Sequence, residues 1–495
     1  MTSVVAAEDW SQFPTLPGNP TWVDTGPMLG LVEVSHDPYV WVEDMGRFVY
    51  APPGTMSETG LWVNIPFAEA AHGDRPMLNM SVVDRSRVTD DGLFFADNFQ
   101  FGRQISAHGN AVTVYEDYIF VTWYHGGMDN RHVMLSRRHF ESDTWETIQF
   151  PHRHIGWQGN PTIGDSHNTI AVGVCPIDET VHLLYDMHSY TSTNQPGNFF
   201  NYNISVPGAA TAENWSLDLF NEKQNYLRRD GNYENVTYPS FSVLPDGSLM
   251  ARWRVGGSTR GSFVYATYDG QGWSNNRTMT FGGANPIWGL YGSYGYRAET
   301  GGWHIGFSIR SNDSGAPLNS GFYYAFTDDP TGMTGWRTLD GQSVSIPIVD
   351  YRPLKIGEPT EFGVGDRIPV AAGWTVTENG SIHFRSTVSG TNVHYFRGPD
   401  DDEFTAVTSG VPNGGLASFG DYVLARGLED GRFRVYATPA GEDDWELVFS
   451  DDDSPVSYRH GVLAQSGDYI VFYGQHSGMS DSLPLDVIRF RLTAE

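Results

Sequence analysis

"YVLARGLEDGRFRVYATPAGEDDW", residues 422–445, places alternating apolar and polar residues on either side of Asp430-Gly431 and ends in a tryptophan. Two short strands round an Asp-Gly turn, then a second turn and a closing aromatic, describe a β-hairpin with one more strand to come. The unit recurs as "YIFVTWYHGGMDNRHVMLSRRHFESDTW" (118–145), "SLMARWRVGGSTRGSFVYATYDGQGW" (248–273) and "SIHFRSTVSGTNVHYFRGPDDDEF" (381–404), with closing aromatics at Trp145, Trp215, Trp273, Trp336, Phe404 and Trp445. A lone hairpin cannot bury its faces, so a unit repeated at uneven but sustained spacing predicts propeller blades with loop insertions in preference to a sandwich. Aromatics at 14%, 56 Gly and 28 Pro agree with short strands and tight turns. The expected class is all-β.

A seventh hairpin, "DYIVFYGQHSGMSDSLPLDVIRFRL" (468–492), has no closing strand after it. Something earlier in the chain must complete it, because an open propeller leaves a bare sheet edge. The N-terminal region contains "PYVWVEDMGRFVYAPP" (38–53), which reads as strands. The expectation is therefore one seven-bladed domain over 1–495, its ring closed by pairing of N- and C-terminal segments. Residues 1–105 contribute to closure and 106–495 hold the repeated blades; the length of the first segment leaves room for an eighth blade.

Thirty Lys+Arg against 59 Asp+Glu give a formal charge of −29. That excess opposes nucleic acid and anionic membranes as partners, and a polyanionic substrate would need a local cluster of cations. The single cysteine, Cys175, excludes an internal disulfide framework and any cysteine-rich zinc site. No run is long and apolar enough for a membrane helix, and "MTSVVAAEDW" lacks the charged start and apolar core of a secretory leader. A monomer is expected.

The residues that carry chemistry sit at matching ends of successive units. "GDSHNTIAVGVCPIDETVHLLYDMH" (164–188) puts His167 before one strand and His188 after the next; "NVTYPSFSVLPDGSLMARWRVGG" (235–257) puts Tyr238 and Arg254 at corresponding places. Propeller loops converge at one mouth of the ring, so these four would share a pocket. Two imidazoles, a phenol and a fixed cation suit proton transfer beside a carboxylate. Taken singly, each has a plainer structural explanation in loop hydrogen bonding or blade packing.

The "GDSHN…YDMH" block followed by "TYP…PDG…R-V-GGS" resembles the BNR-type seven-bladed propeller polysaccharide lyases, the ulvan lyase and rhamnosyl-glucuronate lyase family with its related rhamnosidase branch. The resemblance is most specific over residues 100–310. It implies β-elimination at a uronate of an acidic polysaccharide, with His167, His188, Tyr238 and Arg254 catalytic. Arg254, helped by one histidine, would meet the carboxylate, His167 would act as base and Tyr238 as proton donor, although a tyrosine can do both jobs. A Tyr and Arg of the next blade fall on Tyr296 and Arg310, with Tyr291 and Tyr294 competing for the tyrosine's place; His125, Asn168 and Arg459 are candidate substrate contacts. The resemblance also implies secretion or a periplasmic location, no cofactor for the chemistry, and a structural Ca²⁺ with unassigned ligands. The insertion "SYTSTNQPGNFF" (189–200) bears on the shape of the groove.

Two other readings stay open. A glycoside hydrolase, rhamnosidase-like or sialidase-like, could use the same scaffold, though "YDGQGW" is only a degenerate form of the sialidase repeat. A non-catalytic carbohydrate-binding propeller is the second.

Overall fold

The computed structural model describes residues 78–93 and 110–494, except Met128, Ser166, 284–286, 312–317, 358–372, 389–390 and 409–414, together with the backbone of short strands between Thr15 and Leu61. The chain divides into two compact units, Met1–Arg75 and Pro76–Glu495.

The second unit holds seven antiparallel sheets. Blade 1 runs from Val112 to Arg153, blade 2 from Ile170 to Ile204, blade 3 from Val236 to Thr278 and blade 4 from Gly289 to Gly357. Blades 5 and 6 span Gly373–Thr408 and Gly415–Ser450, and blade 7 contains Tyr458–Ser466, Tyr469–His476 and Ser482–Ala494. The opening hairpin is the middle of blade 6. Tyr422 faces Pro439 and Glu429 faces Arg432 across it. Asp430 and Gly431 have φ of 50° and 77°, the pair of left-handed conformations that a two-residue hairpin turn requires. Trp445 then leads into Glu446–Ser450, the outer strand.

The core lies between blades. Phe120, Val133 and Leu135 of blade 1 pack against Val172, Leu183 and Tyr185 of blade 2, and blades 2–3, 3–4, 4–5, 6–7 and 7–1 repeat the layer with their own aromatics. A blade therefore buries its faces chiefly against its two neighbours, and closing the ring covers the faces of the first and last.

Closure comes from Leu78–Leu93, which pairs antiparallel with Ser482–Ala494, from Leu78 opposite Ala494 to Leu93 opposite Ser482. Blade 7 thus takes its outer strand from the N-terminal side, as the unfinished last hairpin required. The strand proposed for the task does not do it. Tyr39–Val42 and Arg47–Tyr50 pair with each other inside a five-stranded sheet built wholly within the first unit. Within the stretch 1–105 assigned to closure, the described segment that pairs with blade 7 is 78–93. Leu78–Leu93 hides in the sequence because it is an outer strand, apolar on one face at Leu78 and Met80 and polar along most of its length. Its charges are used. Asp84 accepts from Arg138 of blade 1 and from Arg489 of blade 7, Arg85 pairs with Asp451 of blade 6, and Ser86 accepts from the Trp145 indole.

In every blade the first strand starts, and the second ends, at the same face of the ring. Blade 2 places there the residues just before Ile170 and just after Tyr185, blade 3 the start of Val236–Val243 and the end of Leu249–Val255, and blade 4 the start of Gly289–Arg297 and the end of Gly302–Ser311.

Candidate active site

The site is assembled on that face from blades 2, 3 and 4. Its centre is a residue the sequence reading passed over. Asp165, fully buried, accepts the His167 backbone N–H at 3.0 Å and the His188 Nδ1–H at 2.5 Å, and its Oδ1 lies 3.4 Å from His167 Nδ1. Burial pushes the Asp165 carboxyl up, but hydrogen bonds from His167 and His188 outweigh it and bring the group down to about 2. One carboxylate thereby fixes two imidazoles, which stack with centroids 4.4 Å apart and planes 9° from parallel. The available signal was the Asp-x-His spacing within "GDSHN", where a carboxylate can turn back onto the chain two residues on.

Tyr238 is delivered by strained backbone. It adopts φ 59° in an otherwise extended strand, at a register shift between Thr237 and Ser240. Such a bulge re-aims a side chain, and a left-handed tyrosine ahead of a proline is costly enough to mark a functional position. A bridge between His188 and Thr237 ties blade 2 to blade 3 beside it. The Tyr238 ring lies 5.4 Å from that of His167. Burial and the neighbouring Tyr291 phenol push the Tyr238 hydroxyl well above the ordinary phenol range, more than Arg254 and Arg310 pull it down. The phenol is held protonated. Burial, opposed by the bond to Asp165, leaves the His167 imidazole below its ordinary value, and so neutral.

The two arginines differ in what they have left to give. Arg254, 4% exposed, donates to the carbonyls of Leu290, Gly256, Gly257 and Ser258 at 2.8–3.2 Å. Four of its five donor hydrogens are spent on backbone, which leaves no fork for a bidentate grip. Arg310 spends Nε on Asn319 at 3.0 Å. Both guanidinium groups lie over Tyr291, 4.9 Å and 4.2 Å from its centroid. The blade 4 tyrosines are placed differently. Tyr291 stands near the start of its strand, on the site face; Tyr294 is buried with its hydroxyl on the Val264 carbonyl, and Tyr296 packs against the core near the strand's far end. Tyr296, expected as a substrate contact, is separated from Tyr291 and the site face by five residues of extended chain.

Asn168 forms wall. Buried, its side-chain amide is engaged by the Tyr190 hydroxyl and the Gly156 carbonyl. The insertion 189–200 is seated through the same contacts: Tyr190 donates to Gly156, and a Cβ on Gly159 would come within 2.3 Å of Gln195. The turn so held presents Trp157, 5.4 Å from the His188 ring. His125 and Arg459, half-buried, lie on the site face of blades 1 and 7, at the end of a second strand and the start of a first. His152 and His154 of "HRHIGW" bond Asp186, and His182 bonds Tyr202 and Thr180, so none of them joins Cys175. Among the described residues the one group with metal-ligand spacing is Asp165, His167 and His188, its donor atoms within 4.8 Å of one another. That nitrogen-rich set suits zinc better than calcium.

A family model for BNR repeat-containing proteins matches residues 118–373. The chain is 32% identical over 466 residues to the short isoform of ulvan lyase from Alteromonas sp. (strain LOR), covering 84% of this chain and 87% of that one. It is 33% identical over 464 residues to the long isoform from Glaciecola sp. (strain KUL10), spanning 81% of this chain but only 46% of that relative. The crystal structure of the polysaccharide lyase Uly1 superimposes with a TM-score of 0.77 at 28% identity, over 83% of this chain and 99% of that one. Propeller, site face and relatives together define a polysaccharide lyase. Within that class, the chain belongs to the ulvan lyase family.

Proposed function

We propose that this lyase cleaves ulvan-like polysaccharide, breaking the C4–O bond of a uronate by β-elimination. The observation that carries the proposal is the placing of the His167 imidazole and the Tyr238 phenol side by side, with the Arg310 guanidinium nearby over Tyr291. His167 Nε2 takes the C5 proton, the electron pair closes the C4–C5 double bond, and the Tyr238 hydroxyl protonates the departing oxygen. Arg310 grips the uronate carboxylate as charge builds on it; Arg254, locked on backbone carbonyls, supplies field and holds Tyr291. A hydrolase ordinarily needs two carboxyl groups flanking the bond, whereas the carboxylate in this group, Asp165, is buried and committed to two imidazoles. Every proton and charge is assigned to a side chain; structural Ca²⁺, secretion and a monomeric state remain part of the proposal.

The test is a panel of uronate polysaccharides, followed by ultraviolet absorbance of the unsaturated product. Ulvan should give the signal, and reducing ends without absorbance would mean hydrolysis. The pH profile adds a second check. His167 must be neutral, so kcat/KM is lost only as pH falls through a value below the ordinary 6.5; Tyr238 must be protonated, so it is lost only as pH rises through a value above 10.0. A narrow bell centred on neutrality would contradict both assignments.

The arginines are separable. Arg310→Lys is expected to cost about 10²-fold in rate at unchanged melting temperature, a planar fork being replaced by a point charge. Arg254→Lys should instead lower the melting temperature, since a lysine cannot reach four carbonyls. Equal effects of both substitutions on rate alone would refute this division.

A further inference from the structure

Beneath the catalytic imidazoles lies a second pairing of histidine with aspartate. Asp186 follows the second strand of blade 2 in a left-handed conformation, φ 57°, its side chain fully buried. Its carboxylate accepts from His152 Nε2 at 2.6 Å, from His154 Nδ1 at 2.8 Å and from the Ile155 N–H at 2.9 Å. Burial opposes this charge, yet His154 and His152 hold the group well below the usual carboxylate range. The other nitrogen of His154, Nε2, lies 3.2 Å from the backbone N of Asp165. An N–H can only donate, so Nε2 accepts and the imidazole proton sits on Nδ1, facing Asp186. Both bonds require that one tautomer. His154 is 2% exposed and lies against the Tyr124 ring at 5.0 Å. Tyr124 in turn donates to the Asn168 carbonyl, on the same turn as Asp165 and His167.

We propose that His154 is a positioning residue: oriented by Asp186, it holds the Asp165 turn so that one carboxylate meets both His167 and His188. The chain Asp186, His154, Asp165 runs from buried blade structure to the two imidazoles without a gap. A histidine kept only to satisfy Asp186 would need its Nδ1–H alone. The contact of Nε2 with the backbone of the very residue that orients the catalytic pair is what separates the two roles. The proposal rests on the reading of Asp165, His167 and His188 as the catalytic group.

Two near-isosteric substitutions divide the functions of the ring. In His154→Gln the side-chain oxygen can occupy the place of Nε2 and accept from Asp165, while the donor to Asp186 is lost. In His154→Asn the amide can donate to Asp186, while the acceptor for Asp165 is lost. Positioning predicts that His154→Asn lowers kcat by about 10- to 100-fold with KM nearly unchanged, and that His154→Gln restores most of it despite a lower melting temperature. The imidazole ¹⁵N shifts of His167 and His188 should move in His154→Asn and stay in place in His154→Gln. Wild-type kcat in His154→Asn, or parallel losses in both variants that track melting temperature, would overturn the proposal, as would imidazole shifts that change in neither. Should the unsubstituted protein show no elimination on any uronate polysaccharide, the catalytic reading fails, and the ¹⁵N shifts still decide whether His154 orients the pair.

Discussion

Tyr238→Phe is expected to remove elimination while leaving the protein folded and able to bind. General acid catalysis contributes about 10²–10⁴-fold, and Tyr238 is the phenol whose ring lies beside the His167 imidazole. Kcat should therefore fall by about 10³-fold with KM within a small factor of its starting value. The ring remains, so the contact with His167 and the packing about the bulge persist and melting should hardly change. His167→Ala is expected to be similarly inactive. The double variant should be little worse than either single one, since proton removal and proton delivery belong to one elimination. Full turnover by Tyr238→Phe would return the two histidines to the plainer role of hydrogen bonding at blade ends.

Removal of residues 1–93 is expected to abolish cooperative melting of the propeller. The loss can be sized from what Leu78–Leu93 contributes. Burial of Leu78, Met80 and Leu93 is worth about 1.5–3 kcal/mol each. Arg138, 3% exposed, and Arg489 would both lose Asp84, and stranding a buried charge costs about 3–5 kcal/mol. These losses rival the whole stability of a typical domain, about 5–15 kcal/mol, before the bare edge of Ser482–Ala494 is counted. Removal of 1–75 is the comparison, because it leaves all strands of the seven blades in place. A sharp, unshifted transition in the chain lacking 1–93 would show that the ring does not depend on this strand.

The pattern of "YVLARGLEDGRFRVYATPAGEDDW" carries nearly all of the fold. Strand alternation, an Asp-Gly turn and a closing aromatic are local, since each depends on residues within a few positions of one another. Repetition then leaves few architectures open. The same locality explains why His167, His188, Tyr238 and Arg254 could be gathered in advance: equivalent ends of successive blades must share a face. It also explains Tyr296. Three tyrosines in "YGSYGYR" look alike in sequence, and only the position where the strand begins on the ring shows that Tyr291 is at the site and Tyr296 is not.

What the chain determined by itself, then, is the class of blade, the need for a closing strand from the N-terminal side, and the face on which the chemistry collects. Tertiary structure alone decided which segment closes the ring: 38–53 also reads as strands, and it is 78–93 that pairs along blade 7 and bonds to Arg138 and Asp451. It likewise decided the division of labour among charged groups. Whether a guanidinium is free to hold a substrate, or a carboxylate to hold two imidazoles, depends on which donors and acceptors the fold has already consumed. Those partners are contributed by residues far apart in the chain, as Leu290 is for Arg254 and His188 for Asp165, and no local pattern encodes them.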